Sequence, residues 1–275
     1  MTKPETMWQE RTELLLGADS VKRLNESEVL VMGVGGVGAY AAEMLVRAGV
    51  GSLTIVDGDR IHESNLNRQL PALLPEVGKL KTEVLGRRLK AVNPDLRLTE
   101  IAEYVKDGRM TEILEGKPYR YVVDAIDTLS PKLYLLIHCV RRSIPVVSAM
   151  GSGGKVDPMQ LKICDISQTY NCPLADVLRK RLHKWGVYTG IQAVFSPEAV
   201  PRSAVVETQG EANKKSTVGT VSYMPSIVGC MCASVVIREI CGEKVVSDLP
   251  VPPAVRKKIA LAGKAPRTPG DSFSV

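Results

Sequence analysis

The chain has 275 residues, 44 % hydrophobic and 24 % charged, with a net charge of +6 at pH 7. That balance suits one large folded domain or two small ones. It excludes a wholly disordered, collagen-like or small disulfide-stapled chain. The basic excess is compatible with an anionic partner such as RNA or a nucleotide, but aromatic residues are only 4 %, so any nucleic-acid contact is expected mainly on the backbone rather than by base stacking.

Residues 1–5 lack the apolar core of a signal peptide, and reduced thiols in the cytoplasm are expected. The first half alternates strand and helix signals. Strands are predicted at 28–32, 52–56, 96–101, 121–124 and 145–148, and helices at 39–48, 79–92 and 130–142. The helix at 79–92 places Leu80, Val84, Leu85, Leu89 and Val92 on one face and stops at Asn93-Pro94. This alternation predicts an α/β fold, a Rossmann-like doubly wound and mainly parallel sheet. The C-terminal half is less regular, of α+β character. It holds a glycine-rich turn at 151–154, strands at 160–164 and 191–195, a helix at 173–185, a polar, mobile segment at 210–220 and a long helix at 225–241. Residues 216–237 carry no charge, but their continuous apolar or small part is residues 227–237, too short to cross a bilayer, so no membrane span is expected. The six cysteines form no Cys-x-x-Cys pair, and zinc is not expected. From Pro252 onward five basic residues and four prolines read as an unstructured basic tail.

Between the first strand and first helix stands Gly33-Val34-Gly35-Gly36-Val37-Gly38. In such a loop Gly33 permits a tight turn, Gly35 and Gly36 let the backbone approach a phosphate, and Gly38 lets helix and strand pack closely. The helix start adds free amides and a positive dipole end. Asp57 ends the second strand, where a carboxylate accepts from ribose hydroxyls. A bound nucleotide follows, though not which one. Asp59, the segment Ser64-Asn65-Leu66-Asn67-Arg68-Gln69 and Lys79 and Lys81 come next. An enzyme that splits ATP needs such cations to hold charge as diphosphate leaves, and Arg68 and Lys81 are the candidates. Asp124 and Asp127 end the fourth strand. Asp127 either joins magnesium to the phosphates or caps the helix that begins near Ser130.

These motifs, in this order, resemble the adenylating superfamily of ubiquitin-activating enzymes and bacterial activators of sulfur-carrier proteins. The resemblance implies ATP and Mg2+ as cofactors. It matches Asp57 to the ribose acid, Asn65 and Arg68 to the phosphates, Lys81 to the α-phosphate and leaving diphosphate, and Asp127 to the magnesium-linked aspartate, with Asp59 beside them. Residues 11–17 resemble the family's N-terminal segment, where an arginine reaches the γ-phosphate across a dimer interface; Arg11 is the matching position and implies a homodimer. On this basis residues 1–27 are an interface segment, 28–250 the ATP-binding adenylating domain and 251–275 the tail. The catalytic set is Arg68, Lys81, Asp127 and Arg11.

Within the superfamily, segments 151–158, 172–175, 194–198 and 219–225 resemble the branch that uses ATP to cyclise threonylcarbamoyladenosine, beside the tRNA anticodon, with loss of water. A partner tRNA, a sulfur-relay protein and a monovalent cation (K+ or Na+) near the glycine-rich second half go with that resemblance. The alternative is an adenylyltransferase acting on the C-terminal carboxylate of a sulfur carrier. A nicotinamide oxidoreductase and a silent nucleotide-binding scaffold are readings of other classes. Arg179, Lys180, Arg181, His183 and Lys184 make a basic helix end, either an RNA phosphate contact or a solvated face. Lys214 and Lys215 invite the same two readings, and Cys230 and Cys232 are expected as buried small hydrophobes.

Overall fold

The computed structural model describes residues 7–207 and 216–262. Two short helices, α1 (Glu10–Leu16) and α2 (Ala18–Glu26), precede strand β1 (Glu28–Met32). Then come α3 (Gly38–Ala48), β2 (Ser52–Val56), α4 (Lys81–Val92), β3 (Arg97–Ile101), α5 (Asp107–Glu115), β4 (Tyr121–Asp124), α6 (Leu129–Arg141) and β5 (Val146–Ala149). The second half adds β6 (Lys162–Asp165), α7 (Pro173–Lys184), β7 (Gln192–Phe195), β8 (Val205–Glu207), β9 (Ser216–Val218), α8 (Tyr223–Ile240) and α9 (Pro253–Ala262).

Seven strands form one sheet in the order β3-β2-β1-β4-β5-β7-β6. Every neighbouring pair is parallel except β6 with β7. The central strands are buried on both faces, as their nearly continuous apolar runs require. Alternate residues serve opposite cores. Val29, Val31 and Val123 join the cluster under α3, α4 and α8, whereas Leu30, Met32 and Val122 join the one under α5, α6 and α7. The chain leaves β1 toward β2 on one side and reaches β4 on the other, so the crevice at their carboxyl ends is the topological switch point of a doubly wound sheet.

Helix α8 is long and apolar enough to cross a membrane by length and composition, and half of it is buried within the protein. It lies against α3 so closely that a Cβ on Gly229 would collide with Val37 O. Its apolarity is thus that of a core helix.

Several expectations are corrected. Lys79 precedes α4 rather than starting it, because Lys79 N–H bonds back to Glu76 O in a 3-10 turn. Helix α5 was not foreseen; its short apolar set, Met110, Ile113 and Leu114, packs against α6. The tail was expected to lack structure from 251, yet residues 253–262 are helical, with Pro253 at the first position and Val255 buried. Of the polar segment at 210–220, residues 216–218 pair antiparallel with β8; Lys214, Lys215 and residues 263–275 lie outside the described residues.

Candidate active site

The loop after β1 turns sharply at Gly33, whose φ is +86° and whose N–H donates to Val56 O at 2.8 Å. A side chain there would press on Ala125 O, and one on Gly38 would overlap Gly33 O. These two glycines are demanded by the protein's own packing. Gly36 is crowded more mildly, with Pro225 Cβ at 3.1 Å from a built Cβ. At Gly35 a Cβ would meet only ordinary contact with Gln69, so packing does not explain this glycine. Close approach of a ligand would.

Asp57 fastens this loop to β2. Its Oδ2 accepts the Val34 N–H and its Oδ1 the Asp59 N–H, both at 2.8 Å. Burial raises its pKa above the usual carboxylate value, opposed by the Lys81 charge and these two N–H groups. Each oxygen keeps a further lone pair, and a carboxylate at this strand end suits ribose hydroxyls.

Next to it, Lys81 opens α4. Its side chain is buried, and Nζ meets Asp59 Oδ2 at 2.7 Å. The hydroxyl of Tyr104, on the loop after β3, donates to the other Asp59 oxygen. That bond, burial and the charges of Asp59, Asp57 and Asp127 push the Tyr104 phenol up to about 12. Asp57, Asp59, Asp127 and Lys81, all expected from sequence, therefore converge around Tyr104, which was not. The ring remains 73 % exposed, and it fits only because residue 58 is glycine. Tyr104 lies outside every recognised motif, so only an aromatic just past a strand's carboxyl end hinted at it.

Asn65 is buried and accepts the His62 N–H at 3.0 Å, shaping the loop. Arg68 is half-buried, and its Nη1 donates to Ser64 O at 2.7 Å and to Asn67 Oδ1 at 2.8 Å. Its backbone packs on Gly36. Gln69 is buried beside Gly35, and its Oε1 has no hydrogen-bond partner among the described residues. An open glycine cradle with an unsatisfied buried amide beside it fits a bound nucleotide with ordered water.

The two acids after β4 divide their roles. Asp124 is sealed in the core: Lys132 Nζ lies 2.8 Å from Oδ2, and Ser148 Oγ donates to the same oxygen at 2.6 Å. Asp127 is exposed. The cap position of α6 is Thr128, one residue past Asp127. Among the described residues no group of three or more His, Cys, Asp or Glu converges to hold a metal. A single carboxylate is still the usual protein share of a magnesium site completed by phosphates and water.

Arg11 stands apart from this cluster. It is exposed on α1, and the helical pair lies by the amino-terminal ends of β1 and β2, where Gly51 N–H bonds Leu24 O. The second-half motifs do reach the site. Asn67 Nδ2 donates to Thr220 O at 2.9 Å, Gly154 N–H to Gly219 O at 2.8 Å, and Tyr223 OH to Val156 O at 2.7 Å. Buried Lys155 donates to Glu198 O, while the Glu198 carboxylate takes the Val156 and Asp157 N–H groups. Cys232 is buried as expected, but Cys230 is exposed on α8. A cavity of about 160 Å³ lined by Tyr121, Asp165, Gln192 and Glu239 lies at the opposite, amino-terminal end of the strands.

Comparison with known proteins agrees with this geometry. The ThiF family model matches residues 9–259. The tRNA threonylcarbamoyladenosine dehydratase of Bacillus subtilis (strain 168) is 35 % identical over 237 residues, covering 84 % of this chain and 93 % of that protein. The protein of the same name from Escherichia coli (strain K12) is 37 % identical over 203 residues, 70 % of this chain and 75 % of that protein. The crystal structure of the E. coli tRNA N6-threonylcarbamoyladenosine dehydratase in complex with ATP superposes with a TM-score of 0.78 at 31 % identity, covering 88 % of this chain and 98 % of that one. By contrast, the E. coli sulfur carrier protein ThiS adenylyltransferase, 32 % identical, covers 51 % of this chain. With its glycine cradle, its acids at the strand ends and its second-half segments all folded onto one crevice, the chain belongs to the ThiF family.

Proposed function

We propose that this protein adenylates the carboxylate of threonylcarbamoyladenosine in tRNA, using ATP, and so drives its cyclisation with release of diphosphate and AMP. The observation that carries the reading is the buried Lys81 ammonium, 2.7 Å from Asp59, at the mouth of the glycine cradle. It is a fixed cation where the phosphates of a bound nucleotide would lie. The substrate comes from the relatives, which match this chain over nearly their whole length.

A free carboxylate is a poor electrophile. Its attack on the α-phosphorus of ATP expels diphosphate and gives a mixed anhydride. A nucleophilic atom of the same modification then attacks the carbonyl carbon, AMP leaves with the C–O bond electrons, and one water is lost overall. No enzyme nucleophile is required. Lys81 and Arg68 stabilise charge on the phosphates as diphosphate leaves, Asp57 holds the ribose, and Asn65 shapes the loop that presents Arg68. Bound at Asp127, Mg2+ would neutralise phosphate charge. Arg11 is remote within one chain, so its role at the phosphates requires a second copy in a homodimer. The exposed Met7, Trp8, Leu14 and Leu15 around it support such pairing. Activation of a sulfur carrier uses the same first step, but that match covers only half the chain.

Nucleoside mass spectrometry tests the reading. Threonylcarbamoyladenosine-bearing tRNA incubated with protein, ATP and Mg2+ should yield a nucleoside lighter by one water, and Asp127→Ala should abolish this. An unchanged nucleoside alongside an adenylated sulfur carrier would overturn the substrate assignment.

A further inference from the structure

Three basic segments that are distant in sequence meet on one face. Helix α7 carries Arg179, Lys180, Arg181 and Lys184 against a single acid, Asp176. Asp176 takes Arg179 at 3.3 Å and Lys180 at 2.8 Å, and Arg181 and Lys184 form no ion pair among the described residues. Trp185 follows at the helix end, partly exposed, with the guanidinium of Arg141 5.4 Å from its ring centre. That contact joins the last turn of α6 to the end of α7. Helix α9 brings Arg256, Lys257 and Lys258, all exposed, and no acid. One contact ties its approach here: Gln168, just before α7, donates to Leu249 O, four residues ahead of α9, and the Lys258 charge adds to burial in lowering the His183 pKa.

Several surface arginines elsewhere are matched by acids. Arg87 pairs with Glu76 and Glu83, Arg109 with Glu103 and Glu112, and Arg47 and Arg88 with Glu43. On the α7–α9 face, by contrast, Arg181, Lys184, Lys257 and Lys258 form no ion pair among the described residues. It is also displaced from the chemistry. Helix α6 starts two residues past Asp127 and runs 13 residues to Arg141, about 20 Å at the helical rise. A small carboxylate cannot span that distance, whereas an RNA stem with the reacting nucleoside in its loop can. Phosphates are what a cationic face with one aromatic plane recognises.

We infer that the face formed by Arg141, Lys180, Arg181, Lys184, Lys257 and Lys258 docks the phosphate backbone of the substrate RNA's stem while its modified loop enters the crevice. The inference rests on the tRNA reading above. The test compares wild type with Arg181→Glu/Lys184→Glu and Lys257→Glu/Lys258→Glu, measuring tRNA affinity by anisotropy across a salt series and ATP affinity by calorimetry. Each pair should weaken tRNA binding about tenfold or more and lower the salt slope by roughly two, with ATP affinity unchanged. Arg109→Glu, whose charge is already matched on α5, is the control and should leave tRNA affinity unaltered. Equal tRNA binding by wild type and both pairs, or an equal loss in the control, overturns the inference. Wild type that binds tRNA through this face but forms no cyclic product breaks the functional reading alone.

Discussion

Two lysine–aspartate pairs flank the crevice, and their surroundings separate them. Asp124 and Lys132 are both fully buried, and the lysine also donates to Ile126 O and Ala149 O. Every strong donor and acceptor there is used within the protein. Asp59 and Lys81 form an equally short pair, but the Asp59 side chain is 43 % exposed and its partner tyrosine faces solvent. A sealed pair holds the ends of β4 and β5 and α6 together, because separating its members strands a charge in a low-dielectric interior. An open pair can exchange partners, because water or a phosphate compensates whichever member is released. The same two residue types thus serve architecture in one place and, in the proposed reaction, chemistry two strands away.

The sharpest way to break this contrast is to remove the sealed lysine. Lys132→Ala should cost about 3–5 kcal/mol of folding stability by leaving Asp124 uncompensated, read as a lowered urea midpoint. A loss below about 1 kcal/mol would show that the pair is dispensable to the fold. The open pair should behave oppositely. Lys81→Met keeps the buried aliphatic stem, so stability should stay within about 1 kcal/mol while turnover with ATP falls about 10²–10³-fold. Normal turnover would remove Lys81 from the phosphates.

The smallest effect is expected at Tyr104. Tyr104→Phe removes one donor to Asp59 and leaves Lys81 in place, so kcat/KM for ATP should fall about three- to tenfold with stability unchanged. The phenol's folded pKa of about 12 lies above its usual value near 10, so it stays protonated and donating through pH 10. The wild-type pH–rate profile should therefore show no phenol inflection near pH 10, and one that vanished in Tyr104→Phe would contradict the hydrogen bond to Asp59.

Much of the fold was legible because strand and helix periods are local properties. The strands at 28–32, 52–56 and 121–124 appear with the predicted bounds, since a run buried on both faces in a parallel sheet is mostly apolar. The errors lie where tertiary contacts decide. Residues 253–262 have the charge and proline content of a tail, but Val255 finds a buried seat and the segment is helical. Helix α5 is short and weakly amphipathic, and its contacts with α6 stabilise what its own sequence signals poorly. In the crevice, Asp57, Asp59 and Lys81 could be named from motif spacing, whereas Tyr104 belongs to a loop that only sheet order brings beside β2.

By itself the sequence determined the doubly wound architecture and the nucleotide cradle, because glycines that must avoid a Cβ and acids that must end strands are constraints written at single positions. Only the tertiary structure decided that Asp124 is sealed while Asp127 is exposed, and that Tyr104 donates to Asp59. Burial and electrostatic interaction depend on which groups become neighbours across the fold, and no local spacing in the chain encodes that distance.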